Sequence, residues 1–272
     1  MMQITNVVKQ LLIINIIVFI GANTIAPAAN ELLAMHFPMS DNFFVWQLFT
    51  HMFMHASIQH IFFNMFGLFM FGSILENLWG SQKFLFFYLS CGLGAVLIHT
   101  GIQYFEFQKL ISQLAPYNFS TQDIQQMMNI SFNDNSAFYG EFLADGIRPI
   151  LEASGKTALL GDPESFRVLF DAAVMVQTKT VGASGAIYGL LLAFAFMFPN
   201  MPMMLMFIPI PIKAKYLIGA TLLYDFYAGV TGSSIFGAGG NIAHFAHLGG
   251  ALTGFVMMWY WKKNQFNRNR WN

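Results

Sequence analysis

Long apolar runs alternate with short polar stretches along most of this chain. A helix needs about 20 mostly apolar residues to cross a hydrocarbon layer roughly 30 Å thick. Runs of that order lie at 10–28, 58–78, 84–105, 184–200, 216–236 and 242–261, which predicts six spanning helices. The segment from 201 to 212 is too rich in proline to assign. One basic residue precedes the first run and Ala26-Pro27-Ala28-Ala29 closes it, the outline of a cleavable signal peptide. Its length, nearly 19 residues, suits a retained span better than a short signal core.

The pattern changes between the third and fourth runs. Residues 106–179 mix polar stretches such as NFSTQDIQQMMN with apolar ones such as FRVLFDAAVMV. Asp162-Pro163-Glu164 has the form of a helix start, an acid at the cap and proline in the first turn. The prediction is an all-α polytopic membrane protein in which residues 1–272 form a single membrane domain. Residues 106–179 are an insertion within it, read either as short amphipathic helices or as a loosely ordered loop.

Composition agrees with that pattern: 56% of the 272 residues are hydrophobic and 10% charged, about half the charged fraction of a soluble domain. The 13 basic and 13 acidic residues balance, so there is no basic footprint for nucleic acid. Their distribution carries more information. One set of connections holds Lys9, Lys83, Lys213, Lys215 and the tail residues Lys262, Lys263, Arg268 and Arg270, against Glu76 alone. Basic residues mark the cytoplasmic side, so both termini are expected there, most simply at a bacterial inner membrane. The opposite side carries Glu31, Asp41 and the insertion, with nine acids and five bases from Glu106 to Lys179. The insertion is therefore expected outside the cytoplasm. The single cysteine, Cys91, rules out an internal disulfide and any cysteine metal cluster.

Polar side chains inside a span are costly and usually face a partner or a water-filled recess. Here they gather on the second, fourth and sixth runs. The second enters through His51, His55, His60 and Asn64, the last two sharing a helical face; the fourth begins at Ser184; the sixth carries His244 and His247. These three runs point the same way, so helix rise compares their depths. Ser184 lies 16 residues from Asn200, His60 16 from Glu76 and His247 15 from Lys262, placing each roughly 22–24 Å from the cytoplasmic side. Serine and two histidines share a level.

Serine becomes a nucleophile when a neighbouring base takes its proton, and neutral histidine is the usual base near pH 7. Ser184 also opens its helix, where free N–H groups favour developing negative charge, and His60 and Asn64 add donors at that end. Tyr188, one turn on, shares the face of Ser184. Spacing alone favours a blander reading, in which Gly182-Ala183-Ser184-Gly185 and the Gly185/Gly189 and Gly250/Gly254 pairs serve close helix packing. Isolated histidines in spans are likewise often structural. Asp225, the one acid in the middle of a span, lies ten residues from Lys215, roughly 15 Å from the cytoplasmic end. That depth places it too far in to orient His247, and it is expected to make a polar contact between helices outside the site. No metal is expected, because His51, His55 and His60 have no carboxylate or thiolate beside them. No other cofactor is implied.

Three motifs in order, His60xxxAsn64, GASG at Ser184 and AHxxGxxxG at His247, resemble those of the rhomboid intramembrane serine proteases. The resemblance covers most of residues 45–260 apart from the insertion. It implies a six-helix rhomboid bundle with Ser184 as nucleophile and His247 as general base. His60 and Asn64 bind the oxyanion, and Tyr188 stacks on the catalytic histidine. Gly182 and Gly185 flank the serine, while Gly250 and Gly254 let the sixth helix approach the fourth. The motif selects His247 over His244, which depth alone leaves open. The implied partners are transmembrane protein substrates and the lipid bilayer. The long insertion departs from the family pattern and leaves open how substrate reaches the serine. A catalytically silent relative that binds membrane clients is the alternative, although such relatives are expected to lack the serine or the histidine.

Overall fold

The computed structural model describes residues 3–134, 137–205, 208–232 and 244–268. The predicted span ends at 233–236 and 242–243, and the tail residue Arg270, lie outside the described residues. The main helices are α1 (Asn6–Thr24), α2 (Ile58–Trp79), α3 (Ser81–Gln113), α4 (Thr121–Met128), α5 (Gly140–Ser154), α6 (Pro163–Gln177), α7 (Ser184–Met197), α8 (Ala214–Thr231) and α9 (His244–Arg268). Among the described residues, α1, α2 and α3 are long and apolar enough to cross a membrane, and α7 is apolar but shorter, at 14 residues. The segment that resisted assignment forms an antiparallel ribbon, Pro202–Leu205 against Ile208–Lys213.

The chain divides into two compact units. The first comprises residues 1–34, 48–99 and 181–272. Its core joins Val8 and Leu11 of α1, Leu68 and Leu75 of α2, Phe84, Phe87 and Tyr88 of α3, and Leu190 of α7. Large apolar side chains also cover the outside of these helices, among them Ile17, Leu223 and Val230, each more than 60% exposed. Such a surface is unfavourable in water and matched by hydrocarbon, provided that backbone groups are paired within the helices.

Two local features shape this unit. Residues Leu68–Gly72 make a π turn within α2; Gly72 faces α1 there, and a Cβ on it would stand 2.9 Å from Val8 Cγ2. One turn later the buried Glu76 carboxylate accepts from the N–H groups of Val7 and Val8 at 3.0 and 2.9 Å, and from the Thr5 and Ser81 hydroxyls. The first N–H groups of a helix have no partner within it. Glu76 supplies that partner for α1, which accounts for an acid on an otherwise basic side.

The second unit comprises residues 35–47 and 100–180, so it takes in a segment ahead of α2 that the sequence pattern did not join to the insertion. Asn129 fastens that segment: its side chain accepts from the Asp41 N–H at 2.8 Å and donates to the Met39 carbonyl at 3.1 Å. Short helices α4, α5 and α6 close over a core that includes Phe107, Met127, Leu143, Ile147, Leu169 and Val176. Ser120 and Asp123 form a reciprocal capping box at the start of α4. Asp162 caps α6, with Pro163 at its first position, as the sequence predicts. Hydrogen bonds from Ser165 and then Tyr117 hold the Asp162 carboxyl below its ordinary range. The backbone N–H of Ser120, with help from the Ser120 hydroxyl and Lys156, does the same for Asp123.

Candidate active site

The loop entering α7 fixes the position of Ser184. Gly182 adopts φ +119°, a conformation open chiefly to glycine, and its N–H donates to the His51 carbonyl at 2.9 Å. The chain then turns so that Ser184 is the first residue of α7, beside N–H groups that have no partner within the helix.

His247 meets it from α9. Its Nε2 lies 2.9 Å from Ser184 Oγ, a hydrogen-bond distance. Tyr188 lies flat on the imidazole, with ring centroids 4.1 Å apart and planes within 8°. The backbones of α7 and α9 come close enough for this because glycines face each other along the seam. A Cβ on Gly250 would overlap the Gly185 carbonyl, and one on Gly254 would stand 3.0 Å from Gly189 Cα. Shared depth and the small-residue pattern therefore bring about one juxtaposition.

His60 and Asn64 stand on α2. Ser57 caps this helix by accepting from the His60 N–H at 3.1 Å, and the His60 ring packs against Gly182, where a Cβ would lie 2.6 Å from its Nε2. His60 therefore borders the loop that carries Ser184. The buried Asn64 donates through Nδ2 to the His60 carbonyl at 2.8 Å; a primary amide has a second N–H to offer. His55 meets His60 edge-on at 5.1 Å between centroids.

The expectation for Asp225 is corrected. Its Oδ1 lies 3.0 Å from His247 Nδ1 and 2.6 Å from His244 Nδ1, and the residue is buried. Distance along the chain from a lysine is a poor measure of depth here. Lys262 lies well inside α9, which continues to Arg268, and long basic side chains reach the interface from different heights. Asp225, His244 and His247 also bring three ligand-type atoms within 4.8 Å of one another. A tetrahedral ion with bonds of about 2.0–2.2 Å keeps its ligand atoms roughly 3.3 Å apart, so the 2.6 Å approach is that of a hydrogen bond. A signal for this cluster was present in the sequence. His244 and His247 are three apart on one helical face, and a lone mid-span acid requires donors.

A family model described as "Rhomboid domain" matches residues 42–106 and 164–264. The chain belongs to the rhomboid family. No curated protein matches it. The two matched stretches contain α2, α7, α8 and most of α9, and hence every residue of the cluster around Ser184; residues 107–163, within the second unit, fall between them. With its apolar helices, this rhomboid is an integral membrane protein.

Proposed function

We propose that this rhomboid is an intramembrane serine endopeptidase that cleaves membrane proteins in or beside a transmembrane segment. The observation carrying the reading is the 2.9 Å approach of His247 Nε2 to Ser184 Oγ at the start of an apolar helix. The arrangement supplies the parts of acyl transfer. His247 Nε2 takes the Ser184 proton as Oγ attacks the peptide carbonyl carbon, and the carbonyl electrons move to oxygen. The oxyanion is met by N–H groups opening α7 and by donors from His60 and Asn64. When the tetrahedral intermediate collapses, the C–N bond breaks and the proton on His247 passes to the departing amine. Water then attacks the acyl carbon, giving its proton to His247. The C–Oγ bond breaks, and Ser184 recovers a proton.

Tyr188 holds the imidazole plane throughout, and the glycine seam holds α9 at the required separation. A helical substrate exposes its carbonyl only after local unwinding, so a helix-weakening glycine or proline near the cut favours cleavage. The apolar runs support six spans, and the charge distribution supports both termini on the cytoplasmic side of a bacterial inner membrane with residues 106–179 on the other side.

The test is cleavage of a panel of single-span substrates by the full chain in liposomes, alongside Ser184→Ala and His247→Ala. Wild type is expected to release product and to be labelled at Ser184 by a fluorophosphonate, and both variants are expected to be silent. Substrate capture without product or label overturns the protease reading in favour of client binding.

A further inference from the structure

We infer that Asp225 is a positioning residue for His247, held in place by His244, so that the dyad works as the outer part of a longer chain, Ser184–His247–Asp225–His244. This rests on the protease reading above and extends it.

The two nitrogens of the His247 ring face different partners. His247 Nε2 faces Ser184 Oγ at 2.9 Å, and Nδ1 faces Asp225 Oδ1 at 3.0 Å. A neutral imidazole carries a single proton, and which nitrogen holds it follows from the partner of the other. A carboxylate can only accept, so Asp225 requires the proton on Nδ1. That leaves the Nε2 lone pair directed at the serine hydroxyl, the tautomer a general base needs. Without such a partner the two tautomers compete, and a fraction of molecules presents N–H to Ser184, where no proton can be taken.

His244 adds to the hydrogen bonding that stabilises the carboxylate inside an apolar bundle. Asp225 is 2% exposed, and a buried charge without hydrogen bonds is strongly unfavourable. His244 Nδ1, at 2.6 Å, adds a second donor to the same oxygen, and His244 is itself buried with its ring edge-on to Tyr224. The donor holds the same oxygen that His247 Nδ1 meets, while Tyr188 covers the face of that ring. Once His247 has taken the serine proton, the carboxylate faces an imidazolium and stabilises it. The other ionisable side chains around His247 are Tyr188 from α7, His60 from α2 and His99 from α3, so Asp225 is the acid beside it among the described residues.

The test compares Asp225→Asn, Asp225→Glu and His244→Asn with wild type, in liposomes, for kcat, KM and the pH profile of kcat/KM, with thermal unfolding as a check on folding. Asp225→Asn is expected to lower kcat by about 10²-fold or more with KM little changed, by analogy with other acid-oriented histidines. The acid limb of its profile is expected to move to lower pH, because the imidazolium has lost its counter-charge. Asp225→Glu is expected to restore part of kcat, and His244→Asn to cost less than Asp225→Asn. Independently of any Asp225 variant, 15N-histidine NMR of Ser184→Ala is expected to show His247 as the Nδ1–H tautomer at neutral pH.

Wild-type turnover together with a kcat for Asp225→Asn within about threefold of it and an unmoved acid limb overturns this inference alone. An Nε2–H tautomer does the same. Wild-type activity that is released by EDTA and suppressed by Zn2+, with Asp225→Asn indifferent to both, overturns it in favour of a metal site. No turnover and no labelling of Ser184 in wild type overturns the protease reading, and this inference falls with it.

Discussion

Gly182 and His60 touch, although one lies on the loop before α7 and the other on the first turns of α2. A side chain on Gly182 would meet the imidazole at 2.6 Å, and the backbone there has φ +119°. Gly182→Ala therefore adds strain of about 1–3 kcal/mol and displaces His60. A displaced oxyanion donor costs turnover beyond that loss of stability, on the order of 10²-fold in kcat. Thermal unfolding and kcat measured on the same preparation separate the two effects. A fall in stability with kcat unchanged would remove His60 from the site.

The seam between α7 and α9 gives a graded prediction. Gly250→Ala places a methyl into the Gly185 carbonyl, backbone against backbone, with no flexible side chain to yield. Overpacking of this kind costs about 1–3 kcal/mol and moves His247 away from Ser184, so fluorophosphonate labelling is expected to slow sharply. Gly101→Ala is the control, since nothing lies within 4 Å of its added methyl. It is expected to match or exceed wild-type stability, because alanine is the better helix former.

Those same residues show what the sequence could and could not reveal. Helix rise is regular and these helices run the same way, so spacing becomes depth and puts Ser184 level with the His244/His247 pair; the choice of Ser184 and His247 comes from the GASG and AHxxGxxxG resemblance. Tyr188 was legible because a four-residue step keeps one face. Asp225 was misread because α8 was measured against lysines whose side chains span several ångströms, and a carboxylate and an imidazole together reach across a turn. The π turn at Leu68–Gly72 leaves little trace in hydropathy, since one wide turn within an apolar span leaves the run apolar on both sides of it. The union of residues 35–47 with 100–180 was invisible because it depends on long-range contacts such as Asn129 with Asp41, which no local pattern encodes.

Acid is expected to loosen the second unit. Asp123 and Asp162 both have carboxyls held below their ordinary value of 3.8 by hydrogen bonds to the ionised form. A lowered folded-state pKa means that the stabilisation is complete above the unfolded value and is lost as pH falls through the folded one. Helices α4 and α6 should therefore be unchanged down to about pH 4 and fray below it. Hydrogen exchange across residues 121–128 and 163–177 reads this directly. Asp162→Asn should remove the acid-dependent part at α6 while leaving that at α4, and equal fraying in that variant would place the acid response elsewhere.

Glu76 gives a prediction about anchorage. Its carboxylate serves two N–H groups at the start of α1 and two hydroxyls, so one side chain from α2 satisfies groups that helix geometry leaves unpaired. Removing an acceptor from buried donors costs about 1–3 kcal/mol for each group left unmatched. Glu76→Ala is expected to lower the unfolding temperature by several degrees and to open the segment around Thr5–Lys9 to protease. Glu76→Gln keeps one carbonyl acceptor and should fall between the two. Fluorophosphonate labelling of Ser184 should change little in Glu76→Gln, because α1 does not contribute to the site. A loss of labelling as large as the loss of stability would show instead that the start of α1 and the serine are held by one cooperative unit.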